Sequence, residues 1–204
     1  MYNGDDNNDG CNSGAVTQTV NAVSTITALS SSVGTSVFGQ SVTFTANVTP
    51  NAATGTVTFK DGTKTLGTGT LSGGVASINI NTLAAGSHNI TVVYGGDTND
   101  NGSTSSSITE TVNKASTTIT LTPSANPSSS KTSMTFTAMV SSTAATGTVT
   151  FKNGGTTLGT ATISGGTATL SIKLSSATYS ISAAYGGDNN FNGSTSSVLT
   201  QKVN

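Results

Sequence analysis

Internal repetition constrains what this chain can fold into more than any other feature. Thr54-Gly-Thr-Val-Thr-Phe-Lys60 recurs as Thr146-Gly-Thr-Val-Thr-Phe-Lys152, Thr65-Leu-Gly-Thr68 as Thr157-Leu-Gly-Thr160, and Leu71-Ser-Gly-Gly74 as Ile163-Ser-Gly-Gly166, each 92 residues later. Tyr94-Gly-Gly-Asp97 returns as Tyr185-Gly-Gly-Asp188 after 91, so one residue is missing near Lys173. The same pattern opens the chain: Tyr2 through Asn21 aligns without a gap on Tyr94 through Asn113 and on Tyr185 through Asn204. The 204 residues thus divide into the closing strands of a truncated preceding repeat (1–21) and two whole repeats (22–113 and 114–204). Each closing Val-Asn runs straight into the next first strand, without the Gly/Ser linker that would let neighbours swing freely.

Within a whole repeat, seven short runs alternate apolar and polar residues. In the first they cover 23–30, 41–48, 55–60, 63–69, 74–80, 87–94 and 104–112. Val42, Phe44, Ala46 and Val48 share one face, as do Val57 with Phe59, Ala76 with Ile78 and Ile80, and Ile90 with Val92 and Tyr94. The second repeat keeps the phase with Met134, Phe136, Ala138, Val140, Val149, Phe151, Ile181, Ala183 and Tyr185. A period of two with turn residues between runs predicts antiparallel strands buried on one face. Seven such strands in a repeat predict an all-β fold of tandem immunoglobulin-like two-sheet sandwiches. Lys60-Asp61-Gly62-Thr63 and Lys152-Asn153-Gly154-Gly155 read as type I′ hairpin turns. Ser and Thr make up about a third of the chain, above ordinary usage. Threonine's branched carbon suits a pleated strand, and the alternation argues against disorder.

These motifs together resemble the bacterial immunoglobulin-like domains of group 3. The resemblance rests on Gly55-Thr-Val-Thr-Phe-Lys-Asp-Gly62, Thr65-Leu-Gly-Thr68, Leu71-Ser-Gly-Gly74, Tyr94-Gly-Gly-Asp97 and the closing Thr109-Glu-Thr-Val-Asn113. It implies a module strung in arrays on secreted or surface-anchored bacterial proteins, with no catalytic residues. The second repeat departs from the first at Ser175-Ser176-Ala177, which replaces Ala84-Ala85-Gly86.

Several functional classes are excluded by what the chain lacks. Seven lysines and no arginine, unclustered against eight acids, give no footprint for nucleic acid. No apolar run is long enough for membrane insertion, and residues 1–20 carry no signal peptide, so one expects it upstream or removed. Cys11 is alone, which rules out an internal disulfide framework. His88 is the single histidine, so no histidine pair is available for zinc or a triad, and Tyr179 stands at its equivalent position. It reads as an exposed strand residue. Asp61 and Asp100 align with Asn153 and Phe191, so no acid pair recurs for general acid–base work.

One spacing does recur. Asp5-x-Asn7-x-Asp9-Gly, Asp97-x-Asn99-x-Asn101-Gly and Asp188-x-Asn190-x-Asn192-Gly match the opening half of a calcium loop, where oxygens at alternate positions converge on a cation. The bidentate acid of the second half is missing: Val16, Ile108 and Leu199 occupy its place. The competing reading is a turn capped by Asp and Asn side chains. The expected function is non-enzymatic and extracellular: a rigid spacer, stalk or fibre subunit of a bacterial surface or secreted protein. The alternative is an adhesin repeat that binds a glycan or host protein. Residues 1–21 are expected to pair, as a strand, with a copy of the chain or a neighbouring repeat.

Overall fold

The computed structural model describes residues 1–204, and all its regular structure is β-strand. Residues 1–21 contribute β1 (Tyr2–Asp5) and β2 (Asn8–Cys11). The first repeat contains β3 (Ile26–Ser31), β4 (Thr35–Val37), β5 (Val42–Thr49), β6 (Thr56–Asp61), β7 (Lys64–Thr70), β8 (Val75–Ile80), β9 (Gly86–Tyr94), β10 (Ser103–Thr104) and β11 (Ile108–Asn113). The second contains β12 (Ile119–Pro123), β13 (Met134–Val140), β14 (Thr148–Asn153), β15 (Thr156–Thr162), β16 (Thr167–Ile172), β17 (Ala177–Tyr185), β18 (Ser194–Thr195) and β19 (Leu199–Val203).

In each repeat a three-stranded sheet packs on a larger one. The first pairs β3-β5-β8 with β4-β11-β9-β6-β7, β10 adding to β9; the second pairs β12-β13-β16 with β15-β14-β17-β18, β19 also pairing with β17. This is the expected tandem of immunoglobulin-like sandwiches. Alternation along each strand sends one set of side chains between the sheets and the other to solvent. Phe44 and Phe59 are fully buried in the first repeat, as are Phe136 and Phe151 in the second. Two separate clusters result, one per repeat. Ile78 and Ile80, expected inside, are only half-buried, on β8 at the edge of its three-stranded sheet.

Three local features differ from expectation. The run 104–112 breaks into β10 and β11. Thr35–Val37 adds an unexpected short strand that pairs parallel with β11. The hairpin turns carry positive φ on glycine alone, 54° at Gly62 and 55° at Gly154. A type I′ turn needs it at both central residues; these are two-residue turns with glycine first.

The parallel strand is secured from inside. Glu110, fully buried on β11, accepts hydrogen bonds from the hydroxyls of Ser36 (2.7 Å) and Ser31 (3.3 Å). At the equivalent place Gln201 donates from Nε2 to the Ala125 carbonyl (3.1 Å) and towards Ser128 Oγ (3.2 Å). A carboxylate and an amide thus perform one task, tying the first-strand region to the last strand.

The repeats meet in a joint with no spacer. Directly after β11 the second repeat anchors its own first residues, as Val23 does on Asp100 in the first: Ala115 forms a parallel bridge with Phe191, its N–H donating to the Asn190 carbonyl (2.9 Å) and its carbonyl accepting from the Asn192 N–H (2.8 Å). Within the same repeat Asn192 Nδ2 donates to the Lys114 carbonyl and Lys114 Nζ to that of Asp188, while the Ala85 N–H of the first repeat donates across the joint to Asn190 Oδ1 (2.9 Å). The ring of Phe38, from the first repeat, meets Phe191 edge to face with centroids 5.3 Å apart. Residues 1–21 differ. Beyond the β1–β2 hairpin, residues 12–20 pair with no strand, and Val16 and Val20 are 89% and 87% exposed. Their equivalents in the full repeats pair with β9 or β17, and residues 1–21 contain no such strand.

Candidate functional site

The Tyr-Gly-Gly-Asp loops lie at one pole of each sandwich, and their geometry is set by the aspartate. Asp97 Oδ1 accepts the N–H groups of Asn99 (2.8 Å) and Asp100 (2.9 Å), closing a turn on itself. Asp97 Oδ2 accepts the Thr54 N–H (2.9 Å) and the Thr54 hydroxyl (2.6 Å). Asp188 repeats the set with Asn190 (2.8 Å), Phe191 (2.9 Å) and both groups of Thr146 (2.8 and 2.9 Å). The two recurring motifs, Thr-Gly-Thr-Val-Thr-Phe and Tyr-Gly-Gly-Asp, are therefore the halves of one clamp. Gly96 completes it: at φ +85° a Cβ would lie 2.7 Å from the Asp100 carbonyl oxygen.

Charge follows geometry. The Thr54 hydroxyl, with the amides of Asn99 and Thr54, holds the Asp97 carboxyl well below the usual carboxylate range. Burial pushes Asp188 the other way, but the amides and hydroxyl around it prevail, and it too lies well below that range. Beneath each loop a tyrosine hydroxyl is buried without a hydrogen-bond partner. Burial, reinforced by the adjacent Asp188, pushes Tyr185 up to about 12. Tyr94 is raised for the same reasons, with Asp97 as its neighbour.

The nine residues of the calcium spacing occupy three such loops. Asp5 accepts from the Asn7 N–H (2.9 Å), Asn8 Nδ2 (3.0 Å) and the Tyr2 hydroxyl (2.8 Å). Asn101 Nδ2 donates to the Ala22 carbonyl (3.0 Å), as Asn192 does to Lys114. Asn190 Oδ1 accepts the Ala85 N–H across the joint (2.9 Å). The Asn99 carbonyl accepts from Val23, while Asp9 lies exposed on β2, in register with Gly4. Both oxygens of Asp97 and Asp188 thus already accept two hydrogen bonds each, and a cation there must compete with those donors. No three His, Cys, Asp or Glu side chains come together anywhere. The three surface cavities, of about 260, 300 and 320 Å³, are lined by neither acids nor histidine.

His88 corrects the exposed reading. Its side chain is 15% exposed, with Nδ1 2.7 Å from Asp61 Oδ2 and Nε2 2.8 Å from the Ala84 carbonyl oxygen. The loop before β9 folds back over the ring, which strand periodicity does not reveal. Phe38 and Phe191 were also missed, since both lie outside the alternating runs. Their signal was available as a departure from repetition, because Ser130 and Asp100 stand at the equivalent positions.

A family model described as bacterial Ig-like domain (group 3) matches residues 29–113 and 121–204. No curated protein sequence matches. Among solved structures, fibronectin(III)-like modules of Clostridium thermocellum CbhA are similar at 17% identity, covering 87% of this chain and 93% of that one, with a TM-score of 0.38. The Yersinia pseudotuberculosis adhesin InvE is 14% identical over 86% of this chain and 58% of its own, with a TM-score of 0.47. Murine CEACAM1b is 12% identical over 88% and 100%, with a TM-score of 0.39.

Proposed function

Because the chain belongs to the bacterial Ig-like domain family, group 3, we propose that it is a non-enzymatic spacer: a stiff stretch of stalk or fibre in an extracellular bacterial surface or secreted protein. The joint carries this reading. Two sandwiches that follow one another without a spacer and touch through an aromatic pair and a backbone-to-side-chain hydrogen bond cannot bend without breaking these contacts together. A module that positions something else at a distance needs that property, whereas a binding module needs a varied surface. The pole loops are instead near copies, built on the same clamp.

The extracellular placement follows the arrays that the family resemblance implies. No helix is long and apolar enough to cross a membrane. The partner we propose for residues 1–21 is a neighbouring copy or repeat, since the closing-strand sequence Ala15–Val20 presents two exposed valines and unpaired backbone.

Small-angle scattering of the intact chain tests the spacer. A rod whose profile fits one rigid arrangement is expected, and insertion of a Gly-Ser pair between Asn113 and Lys114 should make it flexible. A wild-type profile that needs a broad ensemble of bends overturns the reading. So does specific binding of a glycan or host protein to the pole loops.

A further inference from the structure

We infer that His88 is a protonation-dependent brace on the joint between the two repeats. The inference rests on the spacer reading and centres on one peptide group, the link from Ala84 to Ala85. Its carbonyl faces His88 Nε2 at 2.8 Å within the first repeat. Its N–H donates to Asn190 Oδ1 at 2.9 Å in the second. The two bonds lie at opposite ends of one rigid, polarisable amide, so each strengthens and orients the other.

The other ring nitrogen faces an acceptor as well: Nδ1 is 2.7 Å from Asp61 Oδ2. A neutral imidazole has one N–H, so it can satisfy only one of these two acceptors; the imidazolium satisfies both. The charged groups around the ring favour that form. Asp61 comes from β6, opposite Lys64 on β7, and Glu110 is His88's register partner on β11. Burial pulls the histidine down, but Asp61, the Ala84 carbonyl and Glu110 prevail and hold it above its ordinary value. The brace is therefore complete below the ordinary histidine value and is lost as pH rises through the raised one. On deprotonation the single remaining N–H stays with the Asp61 carboxylate, the stronger, charge-assisted acceptor. The Ala84 carbonyl loses its donor, and the peptide is no longer held against Asn190.

The second repeat performs the same tethering without a titrating pair. Tyr179, at the position of His88, donates its hydroxyl to the Ser175 carbonyl (2.9 Å), and Asn153 replaces Asp61. The variant His88→Tyr therefore has a precedent within the chain.

The test is the width of a distance distribution between spin labels at exposed Ser77 and Thr169, one per repeat, in the full chain with Cys11→Ser. It is measured by electron–electron double resonance at about pH 6 and about pH 9, either side of the histidine range. We expect a narrow distribution at the lower pH and a broader one at the higher. His88→Tyr should be narrow at both, and Asn190→Ala broad at both. Equal wild-type widths, or pH-dependent broadening that survives in His88→Tyr, overturn the inference. Nuclear magnetic resonance of the wild type gives an independent check: the Ala85 amide must titrate with the midpoint of the His88 ring nitrogens. An Ala85 signal indifferent to that midpoint also overturns it. Loss of the pH effect leaves the spacer reading intact if scattering still shows a rod.

Discussion

Thr54 places two donors, its backbone N–H and its hydroxyl, on a single oxygen of Asp97, and Thr146 does the same to Asp188. The clamp joins segments more than forty residues apart, so its ionisation is linked to folding. Both carboxyls are held below the ordinary value in the fold. Their contribution is therefore present above about pH 3.9 and is lost as pH falls towards their depressed values. Urea midpoints measured from neutral pH to about pH 2 should fall in that window. The decline should be smaller in Asp97→Asn/Asp188→Asn, which no longer titrates there. An equal decline in both proteins would contradict the assignment.

At alkaline pH the tyrosines act in the opposite sense. Tyr185 is pushed up to about 12, so the folded state holds that proton more tightly than the unfolded chain does. Stability should hold below about pH 10 and fall between there and pH 12. Tyr185→Phe, which removes the buried and unpartnered hydroxyl, should flatten that part of the curve. Tyrosinate absorbance followed alongside circular dichroism measures both.

Phe59 and Phe151 are fully buried at equivalent places. Truncating either to Ala should cost about 3–5 kcal/mol. The two cores are separate, so Phe59→Ala should lower the melting transition of its own repeat far more than that of the second. Calorimetry should resolve two transitions; one shared transition would show that the joint couples the cores.

A double-mutant cycle on Phe38→Ala and Phe191→Ala should return a coupling of about 0.5–1.5 kcal/mol, the range for edge-to-face aromatic pairs. The same variants should broaden the distance distribution across the joint without unfolding either repeat. Additive effects would mean that the two rings do not act together at the joint.

Calcium at the three Asp-x-Asn loops is a proposal with an ordering built in. Asp97 and Asp188 must give up four hydrogen bonds each, whereas Asp5 gives up three and has the added negative charge of Asp6 and Asp9 in the same hairpin. Titration of the intact chain should therefore fill the first loop first, in the millimolar range of weak extracellular sites. No heat at that concentration, with a melting temperature indifferent to chelator, sinks the proposal. Deletion of residues 1–21 tests their proposed pairing: light scattering should show fewer large species, and undiminished assembly would refute the role.

The sandwich was legible because strand periodicity is local. Val42 to Val48 and Ile90 to Tyr94 declare their inner faces without reference to anything distant. The joint was not, because its chemistry lies where the repeats differ, and Phe191 gains meaning only when Phe38 faces it. The clamp fell between these cases. Thr54 and Asp97 each lie in a visible motif, but nothing in either motif states that they touch. His88 was hidden by a loop folding back through Ala84, a long excursion from strand logic.

The Phe38–Phe191 contact also bears on how such a gene tolerates copying errors. Near-identical coding units invite unequal crossing-over, which duplicates or deletes one unit at a time. Duplicating the first unit would set Phe38 against Asp100, and duplicating the second would set Ser130 against Phe191. Each product would keep intact sandwiches but would place a mismatched hinge between the duplicated units. The order of units is thus written at their ends, and a shuffled array would betray itself by bending long before it failed to fold.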